Sequence, residues 1–225
     1  MPKLQLYDKL LQFPMFQGMS RADLLQMGTH TRLDFVKFPE GKRILKTGER
    51  CDRFYFLING ALKIETASED HGYTVSEEIT APYIIQPECI FGLSLRFRST
   101  VQTLTDTNLI TIDKKEIVNL TENFIVFRLN MLNMFAMNIQ KQILTQWQSP
   151  PKSLEERIVR FFSVHCQQPT GKKTVSIYME RLAAEVNDSR LDISRALNKM
   201  QNEGLLQLSR GRITIPALEK LISGI

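Results

Sequence analysis

The spacing of hydrophobic residues divides the chain into zones with different periods. Residues 1–31 carry apolar positions at helical intervals, and from Leu33 to Ile112 short apolar runs alternate with turn residues. Residues 116–147 then give one long helical pattern, and two short helical patterns follow between Met179 and Gly204. This succession predicts an α+β fold with its strands in the N-terminal half.

The strand-rich zone predicts an antiparallel β domain. Runs of Phe, Val, Ile, Tyr and Thr are separated by turns such as Pro39-Glu40-Gly41 and Asp70-His71-Gly72. Asn59-Gly60 lies between RFYFLI and ALKIE, and an Asn-Gly pair flanked by such runs indicates a β-hairpin. Many short strands at this spacing are typical of an antiparallel sandwich or barrel.

The long helical pattern carries two apolar stripes. The first repeats at intervals of four and three residues, as a heptad seam does, and consists of Ile125, Leu129, Leu132, Ala136, Ile139 and Ile143. The second consists of Phe124, Phe127, Met131 and Met134. We expect one stripe to face the β domain and the other to pair with a second chain. A monomer with a single wide core-facing stripe is the alternative. Ser149-Pro150-Pro151 then breaks the helix and marks a hinge.

Between the two short helical patterns near the C-terminus lies a polar break, Asn187-Asp188-Ser189, whose residue types favour turns. Ser189 is predicted to cap the second helix, with Asp192 completing a weak capping box, and Gly204 to end it. At about 100° per residue, four apolar side chains of this helix share one face and are predicted to pack on a core: Ile193, Ala196, Leu197 and Met200.

The opposite face of this second helix is predicted to be exposed and polar. With its cap, it comprises Ser189, Arg190, Leu191, Ser194, Arg195, Asn198 and Lys199. Arg pairs with guanine edges, Asn with adenine, and an apolar side chain contacts a thymine methyl. The pattern therefore fits a helix-turn-helix that reads the major groove. A solvated amphipathic helix in another helical domain is the alternative that periodicity alone leaves open.

Two short apolar strands follow around Arg210-Gly211-Arg212 and predict a hairpin, or wing, whose arginines meet phosphates. A helix-turn-helix with such a wing resembles the C-terminal domain of the Crp/Fnr family of bacterial transcription regulators. The resemblance is carried by Leu182-Ala183, Val186, Ser189-Arg190, Ser194-Arg195, Leu197, Gly204-Leu205-Leu206, Ile213 and Ile215, and upstream by Glu156-Arg157-Ile158 and Phe161-Phe162.

The resemblance extends over nearly the whole chain and supplies an expected architecture. It implies an N-terminal jelly-roll (double-stranded β-helix) sensor domain in residues 1–115, a dimerisation helix in 116–148 and a winged helix-turn-helix domain in 149–225. It also implies a homodimer that binds double-stranded DNA at half-sites about 34–36 Å apart. Contact with RNA polymerase is a further implication of the family, which the residues themselves do not show.

Charge and composition agree with this expectation. The formal charge is +5, and from Pro150 onward 12 Lys and Arg stand against 8 Asp and Glu, as suits a phosphate-binding segment. No apolar run is long enough to span a membrane, and the N-terminus lacks the pattern of a secretory signal. The three cysteines, Cys51, Cys89 and Cys166, lie far apart in the sequence and indicate a reducing cytoplasm. We expect a cytoplasmic protein without a membrane partner.

In cyclic-nucleotide-binding relatives, a Gly-Glu pair and a later Arg hold the ribose and the cyclic phosphate. The resemblance therefore places an effector site at Gly92, Leu93, Arg98 and Ser99. Leu93 stands where the glutamate is expected, and the span from Gly92 to Arg98 is several residues too short. An apolar side chain cannot bind a ribose diol, so ordinary binding of cyclic AMP or GMP is not expected. A regulator that uses this degenerate cassette remains an alternative.

Other sensing chemistries lack a distinguishing pattern. An iron–sulfur member needs four thiolates, and no cysteine precedes Cys51. His30, His71, Cys51 and several Met residues are conceivable haem ligands, so a haem- or redox-sensing member is a second alternative. A lone surface side chain is the simpler interpretation of each histidine. An unidentified small organic effector, or no effector, is also compatible with the sequence.

An enzyme on the β domain is not expected. A cupin-type enzyme needs clustered His and carboxylate ligands, but His71 is the only histidine between Leu33 and Ile112. The sequence shows no nucleophile motif and no phosphate loop, so no catalytic or metal-binding residue is predicted. A regulatory module whose C-terminal helices dock onto protein is a further alternative. The arginines of the second helix and of the wing argue for DNA instead.

Overall fold

A computed structural model describes residues 3–224, which form two compact units. The first unit comprises residues 3–62, 80–98 and 102–147, and the second comprises residues 63–79, 99–101 and 148–224. Residues 1, 2 and 225, at the outer ends of the predicted first and last domains, lie outside the described residues. Within the described part of the chain, no helix is both long and apolar enough to cross a membrane.

The regular elements follow the predicted succession of strands and helices. Up to residue 113 they are α1 (Lys3–Leu10), a 3₁₀ turn (Pro14–Phe16), α2 (Arg21–His30), β1 (Asp34–Phe38), β2 (Arg43–Leu45), β3 (Arg53–Asn59), β4 (Ala61–Ala67), β5 (Tyr73–Thr80), β6 (Tyr83–Ile84), a second 3₁₀ turn (Pro87–Ile90), β7 (Thr100–Thr103) and β8 (Thr107–Asp113). From residue 114 they are α3 (Lys114–Asn123), α4 (Ile125–Gln146), α5 (Leu154–Val164), β9 (Lys173–Ile177), α6 (Met179–Val186), α7 (Arg190–Asn202), β10 (Gln207–Ser209), β11 (Arg212–Ile215) and α8 (Leu218–Ser223). The predicted α+β fold is confirmed.

The first unit contains a four-stranded antiparallel sheet in the order β1–β8–β3–β6. Phe54 and Phe56 of β3 are fully buried, where aromatic side chains from other elements meet them. Phe13 packs edge-on against Phe56 with ring centroids 5.2 Å apart, and Phe16 lies 5.3 Å from Phe127 of α4. This aromatic cluster fixes the N-terminal segment and α4 on the β domain.

The predicted hairpin at Asn59-Gly60 is wrong. β3 pairs with β8 and β6, whereas β4 belongs to another sheet, where it lies between β5 and β7. Gly60 turns the chain from one sheet to the other with a φ of +100°, and a Cβ there would lie 2.6 Å from Thr107 Oγ1. The dipeptide fixes a tight turn, but packing with distant strands decides which strand each arm joins.

The long helical pattern of residues 116–147 consists of two helices rather than one. α3 ends at Asn123 and α4 begins at Ile125, while Phe124 between them is extended, with φ −126° and ψ 100°. Phe124 is only 8% exposed, so the break coincides with burial of its ring. All six residues of the predicted heptad stripe lie on α4.

The second unit contains strands in the order β10–β11–β9–β5–β4, and residues 63–79 contribute all of β4 and β5 except their outer ends. Its apolar core joins side chains of α5, α6, α7 and α8 to Val75 of β5 and to the apolar positions of β9 and β11. α6 and α7 form the helix-turn-helix, and β10 and β11 form the wing. Residues 63–79 thus group with the C-terminal part of the chain.

Candidate nucleic-acid interface

The capped N-terminus and the buried apolar face of α7 fix the orientation of this helix. Ser189 Oγ accepts the Asp192 backbone N–H at 3.1 Å and donates to the Asp192 carboxylate at 2.7 Å. The four predicted core residues of the helix, Ile193, Ala196, Leu197 and Met200, are at most 7% exposed. Each buried large aliphatic side chain stabilises the fold by about 1.5–3 kcal/mol. The apolar face therefore fixes which side of α7 points to solvent.

The other side of α7 is open to solvent. Leu191 is 59% exposed, and the side chains of Arg190 and Arg195 are 69% and 70% exposed. Asn198 and Lys199 are exposed too. The cap Ser189 is exposed and Ser194 is half-buried. The structure thus places all seven predicted residues of the second helix outside its buried face.

Each of the three cations on this face contacts a carboxylate of the same unit. Arg190 Nε lies 3.1 Å from Glu180, Arg195 Nη1 lies 3.2 Å from Asp192, and Lys199 Nζ lies 3.3 Å from Glu155. The pKa of Glu155 is below its ordinary value because its carboxylate accepts its own backbone N–H, with Lys199 adding to the effect. Exposed pairs of this kind are weak, so the cations remain available to phosphates and base edges.

A side chain of α5 holds the turn between α6 and α7. Asn187 adopts the left-handed conformation with a φ of 54°. Arg157 Nη1 donates to the carbonyl oxygens of Val186 and Asn187 at 3.1 and 3.0 Å, and its Nη2 forms an ion pair with Asp188. The residues around Arg157 in the sequence do not indicate these contacts, because the turn lies about 30 residues further along the chain.

The predicted wing forms as an antiparallel hairpin, with Gln207 opposite Thr214 and Ser209 opposite Arg212. Its turn contains Gly211, whose φ is +68°, and both Arg210 and Arg212 are exposed. Tyr178, which is 69% exposed, lies against this turn, since a Cβ on Gly211 would be 3.5 Å from its ring. This tyrosine was not among the predicted site residues. It is the last residue before α6 and adds a hydroxyl beside the wing.

The predicted effector residues differ in burial and in their hydrogen bonds. Gly92, with φ +95°, and Leu93, which is fully exposed, lie in the loop after the second 3₁₀ turn. Arg98 belongs to the same unit and is exposed, and its backbone N–H donates to the side chain of Gln86 at 2.8 Å. Ser99 groups with the second unit, where it is buried and shares a 2.6 Å hydrogen bond with Thr66.

A small cavity of about 290 Å³ lies beside the loop that carries Leu93. Its lining residues are Arg50, Leu93, Ser94, Leu95 and Arg96. Arg96 Nη1 donates to the carbonyl of Gly48 at 2.7 Å, so its guanidinium is partly engaged. No carboxylate lines this cavity, and a ribose diol would find no acceptor of the kind that the relatives supply.

The two apolar stripes of α4 are separated as predicted. Phe127 and Met131 of the second stripe are buried in the first unit. The heptad stripe is exposed: its five large members, Ile125, Leu129, Leu132, Ile139 and Ile143, are each 48–57% exposed. A row of half-exposed aliphatic side chains on one helix is the kind of surface that marks a protein contact.

The conceivable metal and haem ligands are dispersed or buried. Among residues 3–224, no group of three or more His, Cys, Asp or Glu side chains is arranged to hold a metal ion. Burial raises the pKa of Cys51 and of Cys166 to about 12, and that of Cys89 is raised for the same reason. These thiols are therefore protonated near neutral pH, and a thiolate is the form that binds metals and reacts.

Comparison with known proteins identifies the family to which the chain belongs. Residues 35–124 match the family model described as a cyclic nucleotide-binding domain, and residues 156–223 match the one described as a Crp-like helix-turn-helix domain. The two matches together cover more than half of the chain, in the order expected of one family. The chain belongs to the Crp/Fnr family. It is accordingly a DNA-binding transcription regulator of the Crp/Fnr type.

Individual relatives of this Crp/Fnr regulator are distant. The global nitrogen regulator of Synechococcus elongatus is 23% identical over 202 residues, which cover 81% of this chain and 86% of the relative. The catabolite activator protein of Thermus thermophilus has a TM-score of 0.51 at 15% identity and covers 94% of this chain and 99% of that one. A Crp/Fnr-family regulator from Eubacterium rectale has a TM-score of 0.53 at 22% identity, with 94% and 98% covered. These structural likenesses establish the fold.

Proposed function

We propose that this Crp/Fnr regulator is a homodimer that binds a two-fold DNA operator through α7. The observation that carries the proposal is the exposed face of α7, where Arg190, Leu191 and Arg195 lie outside a fully buried apolar face. The N-terminal residues of a recognition helix contact base edges, and those are the positions that these side chains occupy. Arg210 and Arg212 of the wing add exposed cations for the adjacent phosphates.

The exposed stripe of α4 supports the homodimer. From Ile125 to Ile143 the stripe extends over 18 residue-to-residue steps, which is about 27 Å of helix at 1.5 Å per residue. Two such stripes pair in a parallel or antiparallel coiled coil with burial of every heptad position. A two-fold dimer brings two copies of α7 to half-sites about 34–36 Å apart.

The effector, in this proposal, is not an ordinary cyclic nucleotide. Leu93 replaces the expected carboxylate, and the residues that line the cavity beside it supply arginine, serine and apolar groups but no carboxylate for a ribose diol. An unidentified small molecule that binds the first unit would act by shifting the population between two arrangements of the regulator. Contact with RNA polymerase belongs to the proposal through the family alone.

Sequencing the genomic DNA fragments that the purified protein retains, with and without cell extract, tests the proposal directly. A shared inverted-repeat motif is the expected result. Titration of salt against the affinity for that motif should give a steep log–log slope, because only the neutralisation of phosphates releases counterions. Retention of random fragments, or affinity that does not respond to salt, would show that α7 contacts protein or solvent instead. A motif enriched only with extract would indicate an effector that the extract supplies.

A further inference from the structure

The hairpin of residues 63–79 completes the sheet of the DNA-binding unit, although it is distant from that unit in sequence. β5 pairs antiparallel with β9 over five residues, from Tyr73 opposite Ile177 to Glu77 opposite Lys173. β9 pairs on its other side with β11 of the wing, where Ile215 lies opposite Lys173. The strand that supports the wing thus has a partner on both edges.

A buried ion pair anchors the base of this hairpin. Lys173 is fully buried and Glu77 is 3% exposed, with Lys173 Nζ donating to the Glu77 carboxylate at 2.7 Å. The same carboxylate accepts the backbone N–H groups of Gln167 and Gln168 at 2.7 and 3.1 Å. One side chain therefore joins β5 to β9 and to the loop before β9. A buried ammonium without its partner is strongly unfavourable, so Lys173 requires Glu77.

Contacts with α5 and α6 anchor the tip of the hairpin. Arg181 of α6 pairs with Asp70 at 2.7 Å, and Gly72 leaves room for its guanidinium, since a Cβ there would lie 3.1 Å from Arg181 Cζ. The hydroxyl of Tyr73 shares a 2.8 Å hydrogen bond with Nε2 of His165, the residue that follows α5. The hairpin thus touches the first helix of the helix-turn-helix and the helix that holds its turn.

We propose that Glu77 is a positioning residue for DNA binding, which acts through Lys173 and β9 on the wing. Without the Glu77 carboxylate, Lys173 of β9 carries an uncompensated buried charge where β5 meets β9, and the support that β9 gives to β11 is weakened. Arg212 of β11 then no longer holds its place beside the phosphates. The inference rests on the proposed function, and it assigns to residues within the matched cyclic nucleotide-binding region a part in reading DNA.

The test compares two neighbouring glutamates in the full-length chain. Glu77→Gln removes the buried charge, whereas Glu78→Gln removes an exposed one that pairs with Lys172 at 2.7 Å. We expect Glu77→Gln to weaken operator binding about tenfold, because losing one partner of a buried pair is disruptive. The variant should also have a shallower slope of log affinity against log salt concentration, because fewer cations of the wing then neutralise phosphates. Glu78→Gln should match wild type in both measurements.

Two further measurements separate positioning from general unfolding. Hydrogen exchange without DNA should be faster in Glu77→Gln at the amides of β5, β9 and β11, with α7 and the first unit unchanged. Adding Lys173→Met to Glu77→Gln removes both charges and should restore most of the affinity and of the slope, since a neutral replacement of both partners is tolerated.

The two proposals fail in different ways. If wild type binds no operator, the proposed function is wrong, and exchange still reports whether Glu77 holds β9. If wild type binds but Glu77→Gln keeps its affinity, gains affinity, or loses it with an unchanged salt slope, Glu77 has no positioning role. Faster exchange over the whole chain, or no recovery in the double variant, would overturn the inference as well.

Discussion

At the scale of single residues, the interface pairs every cation of α7 with a nearby acid. Glu180, Asp192 and Glu155 hold Arg190, Arg195 and Lys199 at 3.1–3.3 Å. Exposed pairs contribute about 0–1 kcal/mol each, whereas a bidentate contact of Arg with a guanine contributes about 1–3 kcal/mol of discrimination. In the proposed complex, pairs this weak leave the three cations available to exchange from acid to DNA.

Replacing Arg195 tests which face reads the operator. Arg195→Ala should weaken specific binding by about 1–3 kcal/mol and relax the preference at one operator position, because the arginine projects from the N-terminal half of α7. The measurement is the dissociation constant for the operator and for single-base variants of it. Lys220→Ala, an exposed cation on α8, is the matched control and should change neither. Equal affinity for Arg195→Ala and wild type would mean that the assigned face is wrong.

The buried thiols give a second prediction at this scale. Because burial raises the pKa of Cys51 and Cys166 to about 12, almost no thiolate exists at pH 8, and the thiolate is the reactive form. All three cysteines should therefore react with a thiol-specific disulfide reagent far more slowly in the folded protein than in denaturant. The rate should rise with pH up to the unfolding limit. A cysteine that reacts at pH 8 as fast as in the unfolded chain would favour the redox-sensing alternative.

At the scale of elements, α7 and the hairpin of residues 63–79 show which structural features can be predicted from the sequence and which cannot. The bounds, cap and buried face of α7 could be predicted because each depends on residues within four positions of one another. The strands that pair with β3 could not be predicted. Asn59-Gly60 specifies a turn, but it does not specify which sheet the strand on each side of the turn joins. Glu77 and Lys173 lie 96 residues apart in the sequence. Because each is buried against the other, the residues next to either one in the sequence give no indication that its charge is buried.

α4 illustrates an intermediate case. The heptad interval identified its exposed stripe correctly, since one face of a helix is a local property. The break at Phe124 was missed because residues on both sides continue the same helical spacing, and only burial of the ring in the first unit distinguishes the position. The site residues follow the same division: the faces were predictable, whereas the supporting contacts of Arg157 and the place of Tyr178 were not.

Disrupting the stripe of α4 should dissociate the proposed dimer. Leu132→Glu places a charge in the middle of the exposed apolar row, where pairing with a second copy would bury it at a high cost. Sedimentation velocity should show a dimer for wild type and a monomer for Leu132→Glu at the same concentration. The variant should also lose most of its operator affinity, because one α7 then binds alone.

The control for this prediction lies on the same helix. Asn138 is exposed and points about 120–140° away from the stripe, so Asn138→Glu adds the same charge without entering the seam. It should sediment as wild type does. A wild-type monomer, or a dimer that survives Leu132→Glu, would exclude the stripe as the dimer contact.

At the scale of the whole molecule, regulation by a small molecule requires a ligand that binds one arrangement of the protein better than another. A ligand that binds only the folded protein at 100 times its dissociation constant raises the free energy of unfolding by about 2.7 kcal/mol. Cyclic AMP and cyclic GMP at millimolar concentration should therefore leave the unfolding midpoint unchanged, because Leu93 offers the ribose no acceptor and the loop is short.

The same thermal experiment contains its own positive control, since operator DNA should raise the midpoint under identical conditions. Leu93→Glu supplies the missing carboxylate but not the missing loop residues, so it should gain no response to either nucleotide. A midpoint that rises with cyclic AMP in wild type would restore the degenerate cassette as the sensor. A rise only in Leu93→Glu would show instead that the loop is long enough and that one side chain excludes the ligand.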